Sequence, residues 1–188
     1  MSLERHRLMW LFIKEKTNLF SDNLKFLHIA PEYCFINIFK RMKNLDYTTG
    51  DLISPWADVK MDVHDIPFKD NSFDVVICNH VLEHVDDYKI VMKEFYRVMK
   101  TGGWGIFQVP IDTNNNHTIE DKKIVDPKER ERLYWQSDHL RLFGLDYGKK
   151  LADAGFKVTE SDFINEIGAD LVERYALPKG EIVYFCKK

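Results

Sequence analysis

Three short stretches of this chain carry the residue types that do chemistry. His80-Val81-Leu82-Glu83-His84 places two imidazoles four residues apart with a carboxylate between them. On a helix that spacing puts both rings on one face, and H-x-x-E-H is a zinc-peptidase signature. Such a site needs the helix to run through both histidines and a third ligand downstream. Here His80 follows directly on the apolar run ending at Cys78, so the segment reads as a strand end and no metal ligand is assigned. Gln136-Ser137-Asp138-His139-Leu140-Arg141 groups an acid, an imidazole and a guanidinium. An imidazole with pKa near ~6.5 suits proton removal at neutral pH. Asp138 is placed to orient the His139 ring, and Arg141 to grip an anionic group through paired hydrogen bonds. The alternative is that these residues tie their segment to the body through ion pairs. Asp51 stands 20 residues after Pro31, the acid spacing of a nucleoside-binding βαβ unit, where a carboxylate accepts from ribose hydroxyls. Its alternative is a turn opened with Gly50.

Positioning these groups requires a scaffold, and the periodicity predicts one. Leu8, Leu11, Phe12 and Glu15 predict an opening helix ending near Thr17. Residues 26–30 read as a short buried strand. Pro31 then opens a helix with Phe35, Ile38, Phe39 and Met42 on one side. Residues 46–49 and 58–61 are further strands, and 73–78 is the clearest, β-branched and buried on both faces. Residues 88–99 predict a helix with Ile90, Val91, Phe95, Val98 and Met99 inward, stopped by Gly102-Gly103. A strand over 104–109, a helix over 145–154 capped by Gly155, and strands over 156–160 and 181–186 complete the series. Strands alternating with helices imply a parallel α/β sheet that binds ligands beyond its carboxyl edge. Residues 111–143 break the alternation, and 33 residues exceed the ~12–15 at which a loop usually has a job. Within them Asp126-Pro127, with Glu129 following, predicts a helix to about Trp135. The segment reads as a lid over the carboxyl edge, or else as a plain surface excursion.

The chain has 188 residues, 45% apolar and 30% charged, which suits one globular domain. A formal charge of −3 gives no broad phosphate-binding surface, so nucleic acid is not an expected partner. Cys34, Cys78 and Cys186 are scattered, as reduced thiols are. No run approaches the ~18 apolar residues of a membrane span. The opening stretch is interrupted by Glu4, Arg5, Arg7, Lys14 and Glu15, unlike a signal peptide, so a cytoplasmic location is expected and the Asn116-His117-Thr118 sequon reads as silent.

Asp62-Val63-His64-Asp65-Ile66-Pro67-Phe68, Asn71-Ser72-Phe73-Asp74-Val75-Val76, the stretch from His80 to Asp87, and Glu94-Phe95-Tyr96-Arg97-Val98-Met99-Lys100-Thr101-Gly102-Gly103 follow one another in order. Together they resemble class I S-adenosylmethionine-dependent methyltransferases, above all the type 11 small-molecule branch, over about residues 26–110. The resemblance implies a single Rossmann-like domain over 1–188, with a mostly parallel, seven-stranded sheet and a C-terminal antiparallel hairpin. It divides into an N-terminal helix (1–20), a cofactor-binding half (26–110), the lid insert (111–143) and a C-terminal helix and strands (144–188). It further implies S-adenosylmethionine as cofactor, S-adenosylhomocysteine as product, and a small-molecule acceptor.

By that resemblance Asp51 and Leu52 meet the ribose, Asp62 accepts from the adenine amino group, and the Val63 backbone donates to a ring nitrogen. Asn79 and His80 line the methionine end, with Glu83 and His84 supporting the following helix. The first loop departs from the family, which shows an acid and a glycine-rich turn where this chain has His28-Ile29-Ala30-Pro31-Glu32. A subset of the family carries a similar turn. Glu32 is read as replacing the missing acid and holding the methionyl ammonium; the alternative is favourable charge at a helix N-terminus. His28, Ala30 and Pro31 complete the expected cofactor contacts. His80, His139 and Asp138 are the catalytic candidates, and Arg141 is expected to bind the acceptor. Trp10, Tyr33 and Tyr134 are read as stacking candidates or as core. A metal-assisted transfer through His80, His84 or His139 is a further reading. So is a catalytically impaired S-adenosylmethionine-binding or methyltransferase-like module with a regulatory or interaction role. A nicotinamide dehydrogenase is disfavoured, since no G-x-G-x-x-G occurs. Residues 2–8 resemble a stretch that in some relatives follows a paired-cysteine zinc element; this member either lacks that element or is a shortened form.

Overall fold

The computed structural model describes residues 2–188. The chain opens with α1 (Glu4–Lys16), β1 (Leu24–Ile29), α2 (Tyr33–Phe39), β2 (Leu45–Asp51) and β3 (Val59–Lys60). Next come β4 (Phe73–Asn79), α3 (Tyr88–Val98), β5 (Met99–Gln108), α4 (Pro127–Tyr134) and α5 (Tyr147–Asp153). β6 (Lys157–Ser161), α6 (Phe163–Glu166), α7 (Ala169–Arg174) and β7 (Val183–Lys187) follow. The strands form one seven-stranded sheet in the order β3-β2-β1-β4-β5-β7-β6. All neighbours are parallel except β7, which runs against both β5 and β6. This is a Rossmann-like α/β domain with an antiparallel C-terminal pair, the expected class.

Strand alternation builds a core on each face of the sheet. Val75 and Ile77 point to one face, with Phe26, Ile106 and Val183, and meet α1, α2 and α6. Val76 and Cys78 point to the other, with Leu27, Ile29 and Phe107, and meet α3 and α5. Two helix faces are rotated from expectation. Ile38 and Ile90 are exposed, while Ile36, Tyr88 and Met92 are buried. In α3 the buried face is centred on Tyr88, Val91, Met92 and Phe95, and Ile90, about 100° from Val91 on the side away from Met92, is left outside it. Similarly, α1 buries Leu8, Met9, Phe12 and Ile13, leaving Leu11 half-buried. The helices α6 and α7 were not anticipated. They are 4 and 6 residues long, too short for a periodic signal.

Two devices set the loops at the carboxyl edge. Arg97 donates to the carbonyls of Ile66 (2.8 Å) and Phe68 (2.7 Å), while Glu94 accepts from the Ile66 N–H, pinning the loop after β3. The insert closes on itself through single bridges, Ile111 with Phe143 and Ile119 with Leu142. Its helix α4 starts at Asp126, whose side chain accepts from the Glu129 N–H at 2.9 Å, as the sequence signal requires.

Candidate active site

The sheet order reverses between β1 and β4, where Ile29 pairs with Cys78 and the following loops diverge. Open α/β sheets hold ligands at such a switch point. The first residue beyond each strand has positive φ: Ala30 at 47° and His80 at 55°. Residues with a Cβ seldom adopt that region, and strained backbone clusters at functional sites. Both are held by backbone bonds to neighbouring strands, Ala30 N–H to Gly50 (2.9 Å) and His80 N–H to Gln108 (2.8 Å).

Glu32 sits in the resulting crevice. It is the N-cap residue of α2, yet its side chain makes no capping bond. Instead its carboxylate meets His28 Nε2 at 2.7 Å and accepts from the Asn79 amide at 2.8 Å. His28 is buried and its Nδ1 lies 2.9 Å from the Tyr47 hydroxyl. Burial pushes the Glu32 carboxyl upward, but the His28 bond and charge and the Asn79 amide outweigh it, and its pKa falls to about 2. Pro31 is half-buried beside it. The Asn79 amide also reaches Met9 Sδ of α1 at 3.0 Å, so α1 closes the crevice, leaving room for about 10 Å³.

The remaining cofactor candidates fan out along the same edge. Asp51 ends β2, and its Oδ1 accepts from the Ile53 and Ser54 N–H groups, so it does build a turn. Leu52 is exposed next to it. Asp62 is exposed and Val63 half-buried on the loop after β3, with Asp62 Oδ1 accepting from the His64 N–H and meeting its ring. Of the aromatic candidates, Trp10 packs with Phe20, Phe35 and Phe39, and Tyr134 is fully buried; only Tyr33 is exposed, beside Trp56.

A cavity of about 730 Å³ opens beyond β4 and β5, under the insert. It shares Arg5, His80, Gln108 and Glu181 with the crevice. His80 Nδ1 lies 3.3 Å from Glu83 Oε1, and Glu83 is buried. His139 reaches the cavity wall, but its Nδ1 donates to the Tyr134 carbonyl at 2.7 Å. Asp138 does not orient it: this exposed carboxylate lies 3.4 Å from His84 Nδ1 instead. Arg141 does not face an acceptor. It is buried, with Nη1 donating to Leu82 and Val85 carbonyls (both 2.6 Å) and Nη2 to Asp86 (3.1 Å) and Glu120 (2.8 Å). That guanidinium anchors the insert, and the expected acceptor role is corrected accordingly.

Sequence reasoning missed Glu181 and Gln108. Gln108 donates to the Ile182 carbonyl and accepts from the Tyr184 N–H, which brings Glu181 to the cavity. Burial raises the Glu181 pKa, opposed by His80. No local signal marks either residue, because the β5–β7 pairing that joins them spans over 70 positions.

Residues 29–107, β1's end through β5, match the family described as "Methyltransferase domain". Over that stretch, about two fifths of its length, the chain is similar to this family. Among curated relatives, the demethylmenaquinone methyltransferase of Staphylococcus haemolyticus is 38% identical over 84 residues, 45% of this chain and 28% of that protein. The demethylmenaquinone methyltransferase of Geobacillus is 49% identical over 51 residues, 25% and 21% of the two. The chain thus spans less than a third of these relatives' length. In overall fold the chain resembles a SAM dependent methyltransferase from Archaeoglobus fulgidus (TM-score 0.58, 15% identity, covering 97% of this chain and 94% of that one). It also resembles the [4+2]-cyclase SpnF (TM-score 0.64, 13% identity, 96% and 79%). One is named a methyltransferase and the other a cyclase, so what the two likenesses share is the fold. No helix among the described residues is long and apolar enough to cross a membrane.

Proposed function

We propose that this chain transfers a methyl group from S-adenosylmethionine to a small acceptor held in the cavity beneath the insert. The observation that carries this reading is the Glu32 carboxylate, kept ionised at the β1/β4 switch point and adjoining that cavity. An anion held there suits a ligand bearing an ammonium, and the amide of Asn79 adds a polar partner, so the residues fit the group. In this reading His28, Ala30, Pro31, Glu32 and Asn79 hold the methionyl end. Asp51 and Leu52 take the ribose, and Asp62 and Val63 the base.

The cofactor supplies an activated methyl on a sulfonium, transferred by in-line displacement. The chain's task is alignment in a dry site and, where the acceptor must lose a proton, a base to take it. His80 borders both spaces and has Glu83 behind its ring, so it takes that proton. His84 and His139 line the same cavity, and Asp138 enters beside His84. The volume, about 730 Å³, falls in the ~300–1,000 Å³ range of small-molecule sites. The insert over residues 111–143 serves as the cover.

The narrow crevice favours a second reading, a methyltransferase-like module in which α1 keeps the cofactor out. Calorimetry separates the two. Titration with S-adenosylmethionine and S-adenosylhomocysteine should show micromolar binding of both, and NAD none. Absence of binding would leave the module reading in place.

A further inference from the structure

We propose that Glu83, His84 and His139 form a binding site for a divalent first-row transition-metal ion in the wall of the acceptor cavity. One ligand atom from each lies within 4.8 Å of the others. All three residues line the cavity. Glu83 and His139 are each 1% exposed, and Glu83 Oε2 and His139 Nε2 have no hydrogen-bond partner among the described residues. A buried carboxylate oxygen and a buried imidazole nitrogen are costly to leave bare, and two at one place point to a shared partner.

The surroundings are those of ligating side chains. His139 donates through Nδ1 to the Tyr134 carbonyl, which fixes the ring and leaves Nε2 as the free lone pair. Metal-binding histidines are held this way, by a carbonyl or carboxylate on the other nitrogen. Asp138 Oδ2 lies 3.4 Å from His84 Nδ1. The Leu140 N–H donates to the Glu83 carbonyl at 2.8 Å, so the backbone itself clamps the insert to the turn carrying Glu83 and His84. Two imidazoles and one carboxylate suit zinc, cobalt or iron(II) better than calcium or magnesium, which prefer all-oxygen sets. Bonds of about 2.0–2.2 Å set tetrahedral ligands about 3.4 Å apart, so the side chains would close in modestly on the ion.

The set differs from the one the H-x-x-E-H spacing suggests. Residues 80–87 are not helical, His80 takes positive φ and sets its ring against Glu83 Oε1, outside the three-residue set, and the third ligand comes from the insert. The site stands on geometry alone. Its use, holding an acceptor through an oxygen ligand at the ion's open positions, rests on the methyl-transfer reading.

The test is calorimetric titration of the chelator-stripped full chain with Zn²⁺ alone, without cofactor, paralleled by visible absorbance with Co²⁺. One equivalent should bind, with Co²⁺ giving ligand-field bands. His84→Ala, at a partly exposed position, and His139→Ala should each weaken binding at least tenfold, and His117→Ala, at an exposed imidazole outside the set, should not. Circular dichroism confirms that each variant is folded. No binding, or binding that survives both His84→Ala and His139→Ala, overturns the site. Because cofactor is absent from this titration, its outcome is independent of whether S-adenosylmethionine binds.

Discussion

Glu32 at the strand-end crevice and Arg141 under the insert are both charged side chains withdrawn from water, and they are used in opposite ways. Arg141 has every N–H engaged: Nε and Nη2 on Glu120, Nη1 on two carbonyls and Nη2 on a third. Among the described residues the Glu32 carboxylate accepts from the His28 and Asn79 side chains, fewer bonds than its roughly four lone-pair sites can take. A saturated ion is a structural tie, whereas an ion with capacity left beside a crevice can take a ligand. Residue type alone does not separate the two; the state of satisfaction does.

Breaking the tie should have the largest effect. Arg141→Met would leave three carbonyls and the Glu120 carboxylate facing an apolar side chain. A loss of about 3–5 kcal/mol in urea unfolding is expected, as when one partner of a buried pair is removed. Arg141→Lys should recover little of it, since an ammonium cannot span four acceptors in two directions. A loss under about 1 kcal/mol would reverse the contrast with Glu32.

On the crevice side, His80→Asn removes the proposed base while keeping a residue tolerant of positive φ. Turnover, read as S-adenosylhomocysteine release with acceptor, should fall by about 10²-fold or more, with melting temperature little changed. Normal turnover would take His80 off the catalytic list. Glu32→Ala should weaken S-adenosylmethionine binding at least ~10-fold, or about 1.4 kcal/mol. Unchanged affinity in calorimetry would mean the carboxylate serves only His28.

Acid sharpens the same point. With a folded pKa of about 2 against an ordinary 4.5, Glu32 contributes stability that is fully present above pH 4.5. That contribution is withdrawn as pH falls from 4.5 through 2. Melting temperature in this window should therefore drop more steeply in the wild type than in Glu32→Gln, and parallel curves would show that the carboxyl is not held low by folding.

The two regions also differ in how far the sequence exposes them. Strand ends are delivered by periodicity and by their turns, and the family resemblance then assigns Glu32, Asn79 and His80 to one end of the cofactor site. In the insert, side-chain direction is set by distant backbone: Arg141 turns inward because the carbonyls of Leu82, Val85 and Asp86 converge on it from 55 to 59 positions away. Glu181 is hidden for the same reason, reaching the cavity through strand pairing and not through any local pattern. The placement of Ile38 and Ile90 failed on helix phase, which short helices leave poorly determined.

Helix α4 tests that division within the insert itself. Its N-terminal end was legible, through Asp126, Pro127 and Glu129, and is held by a local bond. Its other end also falls where expected, near Trp135, but by a different device: no glycine follows, Trp135 takes φ 73° as the C-cap, and the ring of His139 satisfies the Tyr134 carbonyl. Asp126→Ala removes one exposed local cap, so a loss of about 1 kcal/mol is expected. Faster amide exchange should be confined to residues 127–134, with Zn²⁺ and S-adenosylmethionine affinities within about twofold of wild type. A loss of several kcal/mol, or a fall in Zn²⁺ affinity, would show that the helix start is coupled to the His139 and Arg141 anchor. The insert would then be a single cooperative unit, not a local helix hung on a distant tie.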